Sequence, residues 1–432
     1  MFLPFSASAQ DNTTITLPTL DLTLQKAIEI AVAENPTIRV AEKDIALKQI
    51  ANKEAWQSLL PTADLAMTLT HTIKIAAMRI TGMGDVKMGT EGSTAGSGVL
   101  TVAVPIFAPA VYQNMKLTKQ DIELAQEKAR ASRLDLVNQV KKAYFSALLS
   151  KDSRDVMQHS YNVAKENFDI VDKKFKVGSV SEYDKITAEV QMRNMNSSLV
   201  SSETALTLAL LKLKVLMGIN TDFAVNINDS LKAYEEQITL ANAEVTIGEL
   251  ENNSSMRQLD MNRGILERTR KVLRTNFMPT VAFQATNQFV SYSNLDWNFF
   301  KYHYNYGSSI AFSISVPLFK ASNWTKLQTN RTQLEQLVFT RQNTLRQLSM
   351  AAESYRKNMI SSITKLESDR EAVLQANKAV SISSKRYEVG HGTILELNQS
   401  ETALVQAELT YNQGIYDYLS NKADLDYTMG LE

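Results

Sequence analysis

The residues in this chain best placed to do chemistry are two carboxylates, each three positions after a hydroxyl. Ser181-Glu182-Tyr183-Asp184 and Thr393-Ile394-Leu395-Glu396 both fit [ST]-x-x-[DE], in which the hydroxyl and the acid satisfy free N–H groups at a helix start. Four histidines, at 71, 159, 303 and 391, share no metal-ligand spacing with one another or with acidic residues and read as surface or interface side chains. Asp152 and Asp155 read as part of a solvated helix face. There is no cysteine, phosphate-binding glycine loop or nucleophile motif. An enzyme reading has nothing to stand on, and no cofactor or metal is expected.

The elements that hold these residues follow from what the chain lacks. It has 15 glycines and 8 prolines in 432 residues, about 5% against roughly 12% in average proteins. Residues 110–278 and 318–432 contain no proline, so long uninterrupted helices are expected. With 46 basic and 46 acidic residues the chain lacks the basic footprint of a nucleic-acid binder. It is too apolar for disorder and has no apolar run long enough for a transmembrane helix. Residues 1–10 end in Ala7-Ser8-Ala9 behind an apolar run, which reads as a signal-peptide remnant, with a disordered end as the plainer alternative.

The chain is one unit written twice. Asn35-Pro36 to Leu60-Pro61 recurs as Asn253-Ser254 to Met278-Pro279, and Val104-Pro105-Ile106-Phe107 recurs as Val316-Pro317-Leu318-Phe319. Phe175-Lys176-Val177-Gly178 matches Tyr387-Glu388-Val389-Gly390, and Met217-Gly218 matches Met429-Gly430. The first repeat, 20–220, is read as helices 24–34 and 36–60, strands about 62–78 and 98–106, and helices 108–177 and 181–217. The second, 221–432, is read as helices 242–251 and 254–278, strands about 280–291 and 307–318, and helices 320–389 and 393–429. A helix of about 70 residues is about 105 Å long, so its hairpin partner of half that length leaves the rest to be lined by the helix at 36–60. In the last helix Ile394, Leu397, Leu404, Tyr411, Ile415, Tyr418, Leu425 and Met429 form one apolar stripe. Leu395, Val405, Leu409, Tyr416 and Leu419 form another, so a neighbour is expected on each side.

Between the prolines the period falls to two. Leu65, Met67, Leu69, His71, Ile73 and Ile75 alternate with small or polar residues, as do Ile310, Phe312, Ile314, Val316 and Leu318. Strands of this kind suit a membrane β-barrel with an aqueous interior, and a soluble sandwich gives the same alternation. The aromatics Tyr292, Trp297, Phe299, Phe300, Tyr302, Tyr304 and Tyr306 form either an interfacial girdle or a loop packed on itself. Four strands close no membrane barrel, since at least eight are needed, so several copies must share one. Three or four copies satisfy the spacing equally.

These features together resemble the TolC-like outer-membrane efflux proteins of Gram-negative bacteria. The resemblance rests on Asn35-Pro36, Leu60-Pro61, the Val-Pro-Ile/Leu-Phe strand exits, the Tyr387-to-Gly390 turn and the duplication itself, over residues 20–432. It implies a mainly α fold with membrane β: a long α-helical barrel, plus four strands per protomer in a twelve-stranded trimeric outer-membrane barrel. It also implies a homotrimer, surrounding outer-membrane lipid, a periplasmic adaptor and an inner-membrane RND or ABC transporter. The implied function is passive export of small toxic molecules or drugs. The alternatives are a duct for a secreted polypeptide or a coiled-coil scaffold without a pore. By the same resemblance Asp184, Tyr387, Glu396 and Gln399 line a periplasmic gate. Val177, Gly178 and Ser179, with Val389, Gly390, His391 and Gly392, form tip turns that dock the adaptor. Gly392 stands where the family carries a basic latch residue, and Gln399 where it carries a second acid. The glycines usual after the strand exits are replaced by Ala108-Pro109-Ala110 and Lys320-Ala321-Ser322, and the usual Leu-Asp-Ala-Gln reads Leu397-Asn398-Gln399-Ser400. The resemblance thus supports one acidic ring, and the capping role competes for the same carboxylates.

Overall fold

The computed structural model describes residues 19–82, 84–86, 89–220, 222–238 and 250–431. The expected signal-peptide remnant at 1–10 and nearly all of the expected helix at 242–251 lie outside them. In chain order the elements are β1 (Thr19–Leu22), α1 (Leu24–Glu34), α2 (Pro36–Gln57), β2 (Thr62–His71), β3 (Met78–Ile80), β4 (Gly84–Val86) and β5 (Thr94–Phe107). Then come α3 (Pro109–Lys176), α4 (Glu182–Met217), β6 (Ala224–Ile227) and a 3-10 turn (Leu231–Gln237). They are followed by α5 (Ser254–Thr275), β7 (Thr280–Asn294), a second 3-10 turn (Phe299–Lys301), β8 (Asn305–Ser315), α6 (Ala321–Glu388) and α7 (Ile394–Met429).

The two repeats are units of sequence and not of packing. One compact unit takes residues 44–126 and 259–340, and the other takes 1–43, 127–258 and 341–432, so each draws on both copies. Strands of both copies pair with one another, and that pairing outweighs order along the chain.

In the first unit β2, β5, β7 and β8 form one antiparallel sheet in that order. Asp64, Thr101, Thr286 and Ser309 stand in register across it, giving a polar face. On the other face Leu65, Met67, Leu69, Ile310, Phe312 and Ile314 are exposed. The strand from Pro61 stops at His71 and not at 78, because β3 pairs with β4 instead. β5 begins at Thr94 and not at 98, since Gly96 and Gly98 belong to the ladder. The glycine at 98 leaves room for the Phe289 ring, which a Cβ there would approach to 2.1 Å and displace. β8 ends at Ser315, two residues before Pro317, which has no N–H for a ladder. α2 and α5 end at Gln57 and Thr275, short of 60 and 278. Both finish in tight turns, with N–H groups of Leu60 and Met278 bonded three residues back, ahead of Pro61 and Pro279. The aromatic segment is a loop bonded to itself: the Tyr302 hydroxyl donates to the Asp296 carbonyl (2.6 Å) and that of Tyr304 to Phe299 (3.0 Å). Phe300 and Tyr306 remain exposed.

In the second unit the recurring sequence signals meet in space. The Asn35 amide donates to the Leu216 carbonyl at 2.7 Å while its side-chain oxygen accepts from the Thr37 N–H at 2.8 Å. Asn253 repeats both bonds, with Thr428 (2.9 Å) and Ser255 (2.8 Å). Gly218 and Gly430, left-handed at φ +69° and +73°, end α4 and α7 against these asparagine corners. An apolar core around Val140, Tyr144, Leu148, Leu213, Met217 and Ile415 fills the space between. The parallel pair of β1 and β6 and the 3-10 turn after it were not anticipated. Tyr144 anchors them by donating to Asp229 (2.7 Å), and burial pushes its hydroxyl pKa up. On α7 the first apolar stripe is buried at Ile394, Leu397, Tyr411, Ile415, Tyr418 and Leu425, whereas in the second Leu419 is buried and Leu395 exposed.

Candidate functional site

All the candidate gate residues lie in the second unit, where two hairpins, α3–α4 and α6–α7, turn. Both turns are built alike. Gly178, at φ +75°, bonds back to the Phe175 carbonyl, and the Ser179 N–H to Lys174. Gly390, at φ +78°, bonds back to Tyr387, and the His391 N–H to Arg386. These paired bonds around a left-handed glycine are the Schellman ending. They leave Val177 and Val389, 79% and 68% exposed, at the crowns of the turns.

Beneath the turns Val171, Ala188, Ile394 and Leu397 are buried together, with Phe168, Val180 and Tyr387 packed on them. The Tyr387 ring therefore joins the second hairpin to the first. Its hydroxyl is buried and has no hydrogen-bond partner among the described residues. Burial raises its pKa, and the nearby Asp184 charge adds to the rise. The Lys174 ammonium lies 5.0 Å from the ring centroid. Asp172 binds Lys176 (2.6 Å) and Lys185 (2.9 Å), tying α3 to α4; those two hydrogen bonds hold its carboxyl below the usual range.

The two hydroxyl–acid motifs do not end alike. Ser181 and Asp184 form a complete capping box: Asp184 N–H donates to Ser181 Oγ (3.1 Å), and Asp184 Oδ2 accepts from Ser181 N–H (3.2 Å) and Oγ (2.8 Å). Thr393 Oγ1 accepts from the Glu396 N–H (3.2 Å), but the Glu396 carboxylate points to Arg386, 3.6 Å away. Tyr387 and Asp184 come near each other without bonding. Glu396 and Gln399 are both exposed, one turn apart on α7. Arg386 is not among the expected site residues, since the family's basic latch position falls after the turn glycine, at Gly392, and not before the tyrosine. Deeper between α3 and α7, the Asn167 amide donates to Glu401 at 2.7 Å, and burial raises that carboxyl's pKa.

Among the described residues no group of three or more His, Asp or Glu side chains is placed to hold a metal. No described helix is long and apolar enough to cross a membrane.

The family model described as "Outer membrane efflux protein" matches residues 27–219 and 248–431, one stretch in each repeat. Outer membrane protein TolC of Salmonella enteritidis is 22% identical over 417 residues, covering 94% of this chain and 82% of the relative. Two solved structures share the fold. The outer membrane protein VceC of Vibrio cholerae superposes with a TM-score of 0.71 at 16% identity, covering 94% of this chain and 96% of its own. The CmeC outer membrane channel of Campylobacter jejuni does so at 0.73 and 16%, covering 100% and 93%. With that model matched in both repeats, the chain belongs to the outer membrane efflux protein family.

Proposed function

We propose that three copies of this chain form the exit duct of a tripartite efflux system, taking small toxic molecules from an inner-membrane pump through a periplasmic adaptor to the outside. The carrying observation is the four-stranded sheet, apolar on one face and polar on the other, whose outer strands β2 and β8 each have one paired neighbour in the sheet. Lipid does not tolerate open strand edges. Two copies would give eight strands and a filled interior, whereas three give twelve and a lumen lined by the polar face. Exposed apolar residues along α4, namely Ile186, Val190, Val200, Leu208 and Val215, fit a seam awaiting the next copy. Energy comes from the RND or ABC pump, and the duct does no chemistry of its own.

Asp184, Tyr387, Glu396 and Gln399 form the gate of this duct. The unpartnered Tyr387 hydroxyl supports that role, because Asp184 uses Oδ2 for its capping box and keeps Oδ1 for the tyrosine. Capping and latching are then compatible. The turns Val177–Gly178–Ser179 and Val389–Gly390–His391–Gly392 present the exposed valines to the adaptor. Deleting the gene tests the cargo: sensitivity to detergents and drugs is expected, and a blocked secreted polypeptide with unchanged drug tolerance would replace this reading by a secretion duct.

A further inference from the structure

We propose that Arg386 is a positioning residue of the tip, clamping the α6–α7 turn to the first turn of α7; this rests on the duct reading above. The inference comes from comparing the two hairpins of one chain. In the first, the acid three residues after the hydroxyl closes its own capping box through Oδ2. In the second, Thr393 still accepts the Glu396 N–H, yet the carboxylate leaves the box and faces the Arg386 guanidinium at 3.6 Å.

Arg386 also grips the turn from both sides. Its carbonyl accepts the His391 N–H at 2.8 Å, and its Nη2 donates to the His391 carbonyl at 3.1 Å. The chain is packed under this side chain: a Cβ at Gly392 would meet Arg386 Cβ at 3.1 Å and the Tyr387 nitrogen at 3.2 Å. A side chain at 392 would push on the clamp. The glycine and the arginine therefore belong to one arrangement, in which the basic group comes from before the turn. Arg386 directly precedes Tyr387, whose carbonyl accepts the Gly390 N–H of the same turn. Holding Glu396 to Arg386 thus holds the backbone that carries the tyrosine.

Arg386 and Glu396 are each about half exposed, at 54% and 47%, so a single pair is weak and screened by salt. In a threefold assembly three pairs act on one opening equilibrium, and small contributions multiply. Losing all three is expected to shift that equilibrium several-fold toward open, while the melting temperature of the folded chain stays put.

The test uses the purified full-length protein in planar bilayers. Arg386→Glu, which sets two carboxylates against each other, is expected to raise the open fraction several-fold, and Arg386→Gln to raise it less. The swap Arg386→Glu with Glu396→Arg is read by vancomycin entry into cells, a measure of tip closure less sensitive to lumen charge than conductance. It should restore the exclusion that Arg386→Glu alone loses. An unchanged open fraction in Arg386→Glu overturns the inference, as does a swap that leaks like the single variant. Absence of conductance from the unsubstituted protein would instead overturn the duct reading, and this inference with it.

Discussion

Four left-handed glycines at helix ends offer a graded perturbation whose sizes can be worked from the geometry. Gly178, Gly218, Gly390 and Gly430 all lie between φ +69° and +78° and all end helices. Alanine at any of them incurs the left-handed cost of about 1 kcal/mol. At Gly178 and Gly390 that is the whole expected loss, because an added Cβ meets nothing within 4 Å. At Gly218 the Cβ would lie 2.8 Å from the Glu34 carbonyl oxygen, and at Gly430 2.6 Å from that of Asn252. Both carbonyls adjoin asparagine corners whose side-chain bonds hold them in place. Overpacking of this kind adds about 1–3 kcal/mol. Gly430→Ala should therefore cost about 2–4 kcal/mol, Gly218→Ala slightly less, and Gly178→Ala about 1 kcal/mol. Guanidinium unfolding in detergent, followed by far-UV circular dichroism, reads the differences. Equal losses at 178 and 430 would refute the claim that the glycine corners bind the ends of each repeat together.

Other expectations follow from the same contacts. Ser181→Ala removes the acceptor of the Asp184 N–H and should cost about 1 kcal/mol in the same unfolding experiment. Tyr387→Phe removes the proposed latch and should raise single-channel conductance; an unchanged value would leave Asp184 as a cap alone. Glu401 has a raised folded-state pKa, so its stabilising contribution is complete below the ordinary glutamate value of about 4.3 and is lost as pH rises through the raised one. Glu401→Gln should raise the melting temperature at pH 7 and flatten its fall between pH 4 and 7; a melting curve unchanged in pH dependence would contradict this. Aspartate at both Val177 and Val389 should abolish drug resistance in cells while leaving conductance in bilayers intact, and retained resistance would remove the turns from adaptor docking.

Much of the fold was legible because its signals are local and occur twice. Proline marks the junctions of helix and strand, glycine marks the hairpin turns and repeat ends, and period two marks the sheet. The structure adds a reason for the repeated Asn and Gly signals: residues some 180 positions apart bond to each other at each corner. What stayed hidden has weak local signal. β1 and β6 are four residues each and pair across about 200 residues of chain, too short for periodicity to register. The start of β5 is hidden because glycine reads as a loop residue, whereas Gly98 is in the strand, where it leaves room for the Phe289 ring. At the tip the turns and Tyr387 were readable, but Arg386 was not, since its role depends on where the Glu396 carboxylate turns.

The measurement that bears most directly on the account is planar-bilayer recording from the purified protein. A duct assembled from several copies, with β2 and β8 closed against neighbouring chains and a polar face within, predicts discrete conductance steps. Protein that enters the bilayer and shows none would contradict it.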